Sequence, residues 1–536
     1  MTEENTTSQG ETQFVPPQLT HRQVLVIFSG LMLGMLLAAL DQTVLATALP
    51  TIVGELGGID HLSWVISAYL LASTTSVPVY GKLGDLYGRK RLFQFGICLF
   101  LVGSMLSGVS QNITQIIIFR FVQGMGAGGL MVTSQAIIGD ILSPRDRGRY
   151  IGYLAIVFAF SSVAGPLIGG LFTDHIGWRW VFYINLPIGA VALLVTSRVL
   201  HLPKRRVEHE IDYAGAVLLT GSISSILLAT TWGGHQYAWT SLTILALYAA
   251  GAVLLGLLLF RETHAPEPIL PLRLFRNRTY SVSSALGICQ GIVMFGVLAF
   301  VPLYLQVVQG VSATESGLRT TPMMAGMIIT AVFSGQMISK HGRYRRFPIM
   351  GTAIVSVGLA LFSTMSVDTN LALVALFMLV FGLGMGLIMQ VITIAVQNAV
   401  EYRDMGTATA GVNFFRSMGG ALGVAMFGSV FNNRLDINVA KFLPADALQG
   451  FSTRTLTSSP EQLRSLSAPV LEGLQQAFAH SLESVFLLAV PVGLIAFAVS
   501  WLLHDVPMHE TPGAVRDEGK PAESTAAEVL AAQPPS

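Results

Sequence analysis

The chain has 536 residues, of which 52% are apolar and 11% charged, and its formal net charge at pH 7 is +1. Soluble proteins carry about 25% charged residues, so this composition excludes an ordinary soluble globular protein. Apolar blocks of about 20 residues are long enough to cross a bilayer as helices, and the sequence therefore predicts an all-α, polytopic membrane protein.

Fourteen apolar segments are predicted as membrane spans. In chain order they cover residues 24–47, 62–82, 92–110, 113–139, 149–172, 180–200, 213–232, 241–260, 279–307, 317–339, 347–366, 370–398, 406–431 and 482–503. The polar stretch ahead of them does not have the form of a cleavable signal peptide, and we expect residues 1–23 to be a cytoplasmic tail. Residues 504–536 are rich in Pro, Ala and Glu, and are predicted as a disordered cytoplasmic tail.

The distribution of Lys and Arg tests this count, because these residues accumulate on the cytoplasmic side of a membrane. If the chain starts inside, 23 of its 31 Lys and Arg residues fall in cytoplasmic segments, and Arg120 and Arg416 lie within spans. One span more or fewer would scramble this alternation. The pattern therefore supports fourteen spans with both termini in the cytoplasm.

The two halves of the chain contain repeated motifs. GKLGDLYGRKR at residue 81 resembles GQMISKHGRYRR at residue 335, and DRG at 146 resembles DMG at 404. Three glycines of span 4 also match three of span 12: Gly124, Gly126 and Gly128 with Gly382, Gly384 and Gly386. If spans 1–6 match spans 9–14, spans 7 and 8 are an inserted helical hairpin.

This repeat predicts the domain organisation. We expect an N-terminal six-helix bundle over 24–200, an inserted transmembrane hairpin with its linkers over 201–278, and a C-terminal six-helix bundle over 279–503. The second bundle would carry a long external loop over 432–481, in which a helix-start signal begins at Ser459. Two related bundles with a site near the midplane are the architecture of many secondary transporters.

Asp41 and Arg120 are the buried charges that the predicted spans place at comparable depth, both in the outer half of the membrane. A lone charge there costs roughly 3 kcal/mol, and an ion pair at about 4 Å is worth roughly 4 kcal/mol at an effective dielectric near 20. The pair is either a structural salt bridge or a switch in which Asp41 gains and loses a proton. Span 12 has Met378 at the repeat position of Arg120, so the repeat does not itself demand the arginine.

Several motifs carry a family resemblance. GKLGDLYGRKR (81–91) and FRFVQGMGAGG (119–129) resemble motifs of the major facilitator superfamily, and SSVAGPLIGG (161–170) resembles its motif for exporters that act by antiport. LDQTVLATALP (40–50) and WRWVFYINLPIG (178–189) are similar to the fourteen-span drug:proton antiporter branch. The resemblance covers residues 24–430 and implies proton-driven export, commonly of hydrophobic or cationic drugs and dyes, across the plasma membrane.

The first motif implies a cytoplasmic gate. Positive-inside topology and a tight turn account for part of it, but leave unexplained the acid among the cations. In the family this acid and an arginine form a gate-like contact with the other bundle, so we expect a charge latch that closes the inner side. Its residues here are Gly81, Asp85, Gly88, Arg89 and Lys90.

The third motif combines Gly165, Pro166, Gly169 and Gly170. Proline removes one backbone hydrogen bond and kinks a helix, and glycines admit a neighbouring span. The motif is either a static kink or a flexible seam that controls leak and the direction of transport.

A central substrate cavity is expected from polar and aromatic residues on spans that face it. Each of them alone fits a helix-packing hydrogen bond equally well, whereas together with several methionines they suggest an adaptable apolar cavity. The residues are Gln123, Asn185, Phe295, Tyr304, Gln306, Gln390, Asn413 and Arg416.

These observations predict a non-enzymatic, proton-driven exporter of amphipathic compounds, embedded in the bilayer and functional as a monomer. The proton gradient is its energy source; we expect no cofactor, metal site or nucleic-acid partner, and the two cysteines, Cys98 and Cys289, are too few for a metal cluster. The G-x-G-x-x-G at 124–129 lies inside a span and has no strand before it, so it is no dinucleotide fingerprint. The alternatives are an exporter dedicated to an endogenous lipid or metabolite, and a receptor or assembly factor that does not transport.

Overall fold

The computed structural model of the protein describes residues 21–56, 62–142, 144–200, 212–233, 237–265, 268–269, 271–401, 404–443 and 468–505. Within these ranges the regular structure is helical, apart from one isolated bridge between Gly233 and Tyr237. Nearly all of both predicted tails, and the helix start predicted at Ser459, lie outside the described residues.

The described residues of the N-terminal half form seven helices, because the sixth predicted span is divided at Ile184. They are α1 His21–Leu56, α2 Leu62–Tyr87, α3 Arg89–Gly108, α4 Ile113–Ile141, α5 Pro144–His175, α6 Trp180–Tyr183 and α7 Asn185–Val199. The predicted hairpin forms α8 Tyr213–Trp232 and α9 Leu242–His264.

The C-terminal half begins with a short 3-10 turn, Leu272–Arg276, and α10 Arg278–Leu303, which continues into a π-helical turn, Tyr304–Val308. It then forms α11 Ala313–Arg319, α12 Thr321–His341, α13 Arg346–Phe362, α14 Leu371–Ala399, α15 Met405–Phe442 and α16 Ala468–Ser500.

Local chemistry sets many of these helix ends. Asn112, Asp212, Ser241, Asn277 and Asn370 each accept a hydrogen bond from a backbone N–H in the first turn of the helix that follows, which satisfies a donor that has no partner within the helix. Gly88 separates α2 from α3 with φ 94°, a conformation that glycine adopts without the steric cost of a Cβ.

The two halves pack by the same scheme. In the N-terminal half α1 lies on α5, while α4 lies between α2 and α3; in the C-terminal half α10 lies on α15, while α14 lies between α12 and α13. Contacts between the halves are made mainly by α2 with α15 and by α5 with α12. The helices of one half therefore correspond to those of the other in order and in neighbours.

The glycines of α4 and α14 make this packing possible. A Cβ at Gly124 or Gly128 would overlap the carbonyl of Tyr69 or Ser73 in α2. A Cβ at Gly382 or Gly386 would overlap the carbonyls of Met323 and Met327 in α12. The repeated glycines thus do the same work in each half: they let backbones approach closely, as small residues do at membrane helix interfaces.

The α8–α9 hairpin lies beside the contact between the halves. Helix α8 packs against α2 and α15, and α9 packs on α8. At one end the rings of Trp64 and Trp232 are 4.8 Å apart, and Trp239 Nε1 donates to Ser429 Oγ at 3.0 Å. Since Trp64 belongs to α2 and Ser429 to α15, the hairpin touches both halves.

The helices on either side of the loop predicted over 432–481 extend into it, and the bounds of that loop and of the last span stay predictions. Helix α15 continues to Phe442, and α16 already begins at Ala468. Buried side chains at helical spacing continue along both segments: the rings of Phe431 and Phe478 are 5.6 Å apart, and Asn438 Nδ2 donates to Ser481 Oγ at 3.0 Å. The two helices extend because these contacts stabilise them beyond the purely apolar blocks.

Ten helices in the described part of the chain are long and apolar enough to cross a membrane. Shorter apolar stretches, Ala164–Thr173, Ala214–Thr230 and Arg346–Phe362, lie within α5, α8 and α13. Helix α2 carries the polar run Ser73–Ser76 together with Lys82 and Asp85 and falls in neither group. The total of fourteen spans stays a prediction.

Candidate functional site

Asp41 lies in a network of buried polar side chains. Its carboxylate pairs with the guanidinium of Arg120, and it accepts hydrogen bonds from Gln123 Nε2 at 2.8 Å and Asn185 Nδ2 at 3.1 Å. Asp41 and Arg120 are each 1% exposed, and both amides are fully buried. The structure thus brings the two predicted coupling residues into contact, together with two residues predicted for the substrate cavity.

Three helices meet at this carboxylate, and a fourth lies one hydrogen bond away. Arg120 and Gln123 are three residues apart on α4 and therefore share a face; Arg120 Nη1 also donates to Gln123 Oε1 at 2.9 Å. Asn185 is the first residue of α7, and its Nδ2 donates to Ser104 Oγ of α3 at 3.0 Å. The break at Ile184 places Asn185 where one amide bridges α1 and α3.

The guanidinium of Arg120 also stacks on an aromatic ring, since its Cζ is 4.1 Å from the centroid of Tyr69. A cation over a ring face is attracted by the ring quadrupole. Arg120 Nε and Asn185 Oδ1 are nevertheless enclosed without a hydrogen-bond partner. Buried polar groups are rarely left unpaired, so this network has one donor and one acceptor to spare for a different arrangement.

A second charged network lies where α2, α3, α4 and α15 end or begin; we call Asp85, Arg89, Asp140 and Thr407 the latch cluster. Arg89 pairs with Asp85 at 2.8 Å and also with Asp140, and it donates to the carbonyl of Ala136 at 2.6 Å. Asp85 Oδ2 accepts from the backbone N–H of Thr407 at 2.9 Å and from its hydroxyl at 3.1 Å. The acid in the first motif therefore contacts the C-terminal half.

The position of Thr407 explains the attraction. It lies in the first turn of α15, where backbone N–H groups have no intrahelical acceptor and the helix dipole favours a negative charge. A Cβ at Gly406 would overlap the Asp85 carboxylate, and one at Gly81 would overlap the Cβ of Ala410. Two glycines thus let α2 and α15 close together here.

The remaining residues of the predicted gate have local roles. Gly88 forms the turn between α2 and α3, and Lys90 Nζ donates to the carbonyl of Ser197 at 2.9 Å. Lys90 is therefore tied to the C-terminal end of α7 within its own half, and the structure does not bring it to the other half.

The glycines of the third motif pack against α1. A Cβ at Gly165 would overlap the hydroxyl of Thr43, and one at Gly169 would overlap that of Thr47, whereas a Cβ at Gly170 would meet nothing within 4 Å. Thr43 Oγ1 donates to the carbonyl of Ser161 at 2.9 Å. Since Thr43 is two residues from Asp41, this seam connects α5 to the segment that carries the buried acid.

Pro166 faces the other half. A Cβ at Gly317 in α11 would lie 3.4 Å from Pro166 Cγ. Helix α5 continues through this proline without interruption, from Pro144 to His175. The motif thus lies between α1 on one side and the C-terminal half on the other.

The other predicted cavity residues do not form one site. Tyr304 is buried and its hydroxyl donates to the carbonyl of Ser366 at 2.8 Å, which is a packing contact within the C-terminal half. Phe295 is half-buried against Gly420 of α15, and Gln306 is half-buried in the π-helical turn. Asn413 Nδ2 donates to Gln135 Oε1 of α4 at 2.7 Å, and Arg416 donates to Asn413, so these two residues lie at the contact between the halves.

A cleft of about 520 Å³ opens in the C-terminal half at the end opposite to the latch cluster. The residues that line it share an apolar character apart from one arginine and one threonine: Leu305, Leu318, Arg319, Thr321, Pro322, Leu371, Ala372, Ala375 and Met378. Met378, the repeat counterpart of Arg120, is thus a cleft residue. Apolar walls with few polar groups are typical of small-molecule sites.

Sequence reasoning missed two members of the latch cluster. Asp140 lies one residue beyond the end predicted for span 4, so the predicted bounds leave it outside the membrane. Thr407 follows the DMG segment, whose similarity to DRG was a usable signal. Its contact with Asp85 depends on how the halves meet, which no local pattern shows.

Comparison with known proteins agrees with this architecture. The family model described as Major Facilitator Superfamily matches residues 31–424. An uncharacterized MFS-type transporter of Mycobacterium tuberculosis H37Rv is 41% identical over 483 residues, covering 90% of this chain and 70% of that protein. The multidrug transporter protein MdtP of Bacillus subtilis is 40% identical over 409 residues, covering 76% of this chain and 75% of that one.

Solved structures share the fold. The chain is similar to the human organic anion transporter MFSD10, with a TM-score of 0.58 and 16% identity over 89% of this chain and 100% of that one. It is also similar to the proton:xylose symporter XylE, with a TM-score of 0.61 and 13% identity over 92% of this chain and 98% of that one. By its family model, its relatives and its fold, the chain belongs to the major facilitator superfamily and is a multi-pass membrane transporter rather than an enzyme.

Proposed function

We propose that the protein is a proton-driven exporter of hydrophobic or amphipathic compounds that works by alternating access in the cell membrane. Its relatives include proteins named as a multidrug transporter, a multidrug resistance protein and efflux pumps, at 31% to 40% identity. The motif at 161–170 and the buried Asp41 favour antiport, with the proton gradient as the energy source.

The single observation that carries the proposal is the environment of Asp41. The carboxylate of Asp41 is enclosed with one guanidinium and two amide donors, and these charge-assisted contacts join α1, α4 and α7. Protonation would remove the charge that compensates Arg120, and a buried unpaired cation is costly. Arg120 must then find another partner or water, so gain of a proton weakens the contacts that hold α1, α4 and α7 together.

Alternating access also requires a contact between the two halves that can form and break, and we propose that the latch cluster is this contact. In this structure α2 and α15 are joined at the latch cluster, while the cleft opens at the opposite end. Release of Asp85 from Thr407 would leave one carboxylate oxygen, Asp85 Oδ2, and the N-terminus of α15 without these bonds. Water can satisfy both once the halves separate, while Asp85 Oδ1 keeps its pair with Arg89. We therefore propose that the latch end is cytoplasmic and that this conformation is closed to the cytoplasm.

The same proposal includes the finer topology. Fourteen spans, both termini cytoplasmic, bundles over 24–200 and 279–503, and an inserted hairpin over 201–278 are supported by the Lys and Arg alternation and by the repeated packing of the two halves. A monomer would suffice, because the buried network and the latch cluster are formed within one chain.

The decisive experiment is transport in proteoliposomes with an imposed pH gradient and a panel of dyes, antibiotics and lipids. The unmodified protein should move at least one compound against its gradient and dissipate the pH gradient when that compound is added. Asp41→Asn should abolish both. Glu483→Gln, which removes an exposed acid of α16 outside the cleft and both networks, should leave them unchanged.

Gradient-driven transport by Asp41→Asn at a normal level of inserted protein would contradict the role proposed for Asp41. A lack of compound-dependent proton flux with the unmodified protein would instead favour a receptor or assembly factor.

A further inference from the structure

Arg416 is a buried cation that the Asp41 network does not use. It lies on α15, is 8% exposed, and Nη2 donates to Asn413 Oδ1. Arg120 and Arg89 both contact carboxylates, whereas no described carboxylate pairs with Arg416. Among the described residues, Asn413 is the side chain to which Arg416 donates a hydrogen bond.

The hydrogen bonds of Arg416 lead to the other half. Asn413 Nδ2 donates to Gln135 Oε1 of α4 at 2.7 Å. Gln397 of α14 donates to the carbonyl of Gln135 at 3.3 Å and to Thr409 Oγ1 at 3.1 Å. Arg416 is thus positioned where α15, α14 and α4 come together.

Helix register places Gln390 at the level of Arg416. The bond between Gln397 and Thr409 aligns α14 with α15, and the short connection between these helices makes them antiparallel. Gln390 is seven residues before Gln397, and Arg416 is seven residues after Thr409. Seven residues are two turns and about 10.5 Å of rise, so each side chain lies on the same face of its helix as the bonded residue and two turns away from the Gln397–Thr409 bond.

Gln390 has unused hydrogen-bonding capacity. It is 2% exposed, and both its amide nitrogen and its amide oxygen lack a partner. Helix α10, which packs on both α14 and α15, contributes Gln290, whose amide nitrogen is also enclosed without a partner. The neighbouring Gly291 packs on the carbonyl of Arg416, so Gln290 flanks the same level.

We propose that Arg416, with the amide donors of Gln390 and Gln290, binds an anionic group of the transported compound. A guanidinium presents several N–H donors in a plane that suits carboxylate, sulfonate or phosphate oxygens. In a site of low dielectric an unpaired cation favours an anion strongly. Met389 precedes Gln390 in the chain, and Met294 lies one helical turn after Gln290. Both side chains are buried and would contact the apolar part of the transported compound.

The inference rests on the proposed export function and narrows it, because the family resemblance alone suggests hydrophobic or cationic compounds. It assigns a preference for amphipathic compounds with one acidic group. Asp41 would bind and release the proton, and Arg416 would bind the anionic group of the substrate.

A matched pair of probes tests the assignment: anilinonaphthalene sulfonate and N-phenylnaphthylamine share an aromatic body, and only the first carries an anion. Binding to the purified full-length protein in detergent is measured by calorimetry. Arg416→Gln should weaken binding of the sulfonate by about tenfold to a hundredfold, the effect of losing a hydrogen bond to a charged group. It should change binding of the uncharged probe by no more than about twofold.

Three further variants separate charge recognition from packing. Arg416→Lys should retain part of the sulfonate affinity. Gln390→Leu leaves the charge of Arg416 in place and should weaken binding of the sulfonate probe only. This variant provides the test if Arg416→Gln does not fold. Arg434→Gln removes an exposed cation from the same helix and should change neither probe.

Equal weakening of both probes by Arg416→Gln, unchanged sulfonate binding in Arg416→Gln or Gln390→Leu, or no preference of the unmodified protein for the sulfonate would each overturn the assignment. Because these are equilibrium measurements without a pH gradient, they are independent of whether Asp41 couples transport to protons. Failure of the anion site and failure of the export function are therefore distinguishable.

Discussion

At the scale of single residues, the Asp41–Arg120 pair combines two roles that have to be separated. A buried ion pair can hold helices together without any part in coupling, and removal of one partner destabilises a protein because it leaves an uncompensated charge. Here the carboxylate also receives two amide donors, and the arginine retains an unmet Nε. Stability and coupling can be measured independently in the same variants.

Arg120→Gln should lower the free energy of unfolding of the purified protein by about 3 to 5 kcal/mol, because Asp41 would remain buried without its cation. The double variant Asp41→Asn with Arg120→Gln should recover most of that loss, since neither charge remains. It should still show no proton-coupled transport. Thermal unfolding and proteoliposome flux on the same preparations check both results; recovered coupling in the double variant would mean that the pair is structural only.

A smaller ion pair gives a pH effect of known sign. Glu55, beyond the end predicted for the first span, accepts hydrogen bonds from Arg179 Nη1 at 3.0 Å and Trp178 Nε1 at 2.8 Å, and these bonds lower the pKa of its carboxyl. A lowered pKa in the folded state means that the stabilisation is present above the ordinary pKa of Glu and is lost as pH falls through the lowered value.

Glu55→Gln should therefore reduce thermal stability at neutral pH and have no effect in strong acid. The side chain is half exposed, so screening limits the difference to about 1 kcal/mol or less. Melting curves of both proteins across acidic and neutral pH check the prediction. A difference that grows as pH falls would contradict the assigned direction.

At the scale of helices, the seam between α1 and α5 depends on which glycine of the third motif is considered. Gly165 and Gly169 have no room for a Cβ, because Thr43 and Thr47 lie against them, while Gly170 faces open space. The motif at 161–170 therefore contains two positions that fix the distance between α1 and α5 and one that does not.

Gly165→Val should impair transport strongly and destabilise the protein by about 1 to 3 kcal/mol, the usual cost of overpacking. Gly170→Val, in the same motif and helix, should be tolerated. Transport rates and melting temperatures of the two variants provide the comparison. If both behave alike, close packing of α5 on α1 is not what the motif supplies.

At the scale of the whole molecule, the two halves touch through helices that have counterparts in the repeat, and the latch end is the closed end in this conformation. Asp85 and Arg89 are near each other in sequence, but Thr407 is far along the chain. Closure of the latch end therefore requires α2 and α15 to pack closely, which the absence of side chains at Gly81 and Gly406 permits.

Gly81→Val should hold the halves apart, because a Cβ there overlaps Ala410. A single cysteine introduced as Thr407→Cys, in a background without Cys98 and Cys289, should then react faster with a water-soluble maleimide. Gly170→Val is the control, since a Cβ at Gly170 meets nothing within 4 Å and lies outside the latch cluster. Equal labelling of the two variants would argue against the latch.

The helices, the repeat and the candidate residues Asp41 and Arg120 follow from local sequence, because apolar blocks, helix caps and isolated buried charges are properties of short segments. Contacts across the fold do not follow in this way. The bond from Asp85 to Thr407, the division of the cavity candidates between the Asp41 network and other sites, and the alignment of Gln390 with Arg416 all depend on how helices distant in sequence approach one another. That approach is determined by interlocking glycines and side chains on several helices at once, so only the tertiary structure decided it.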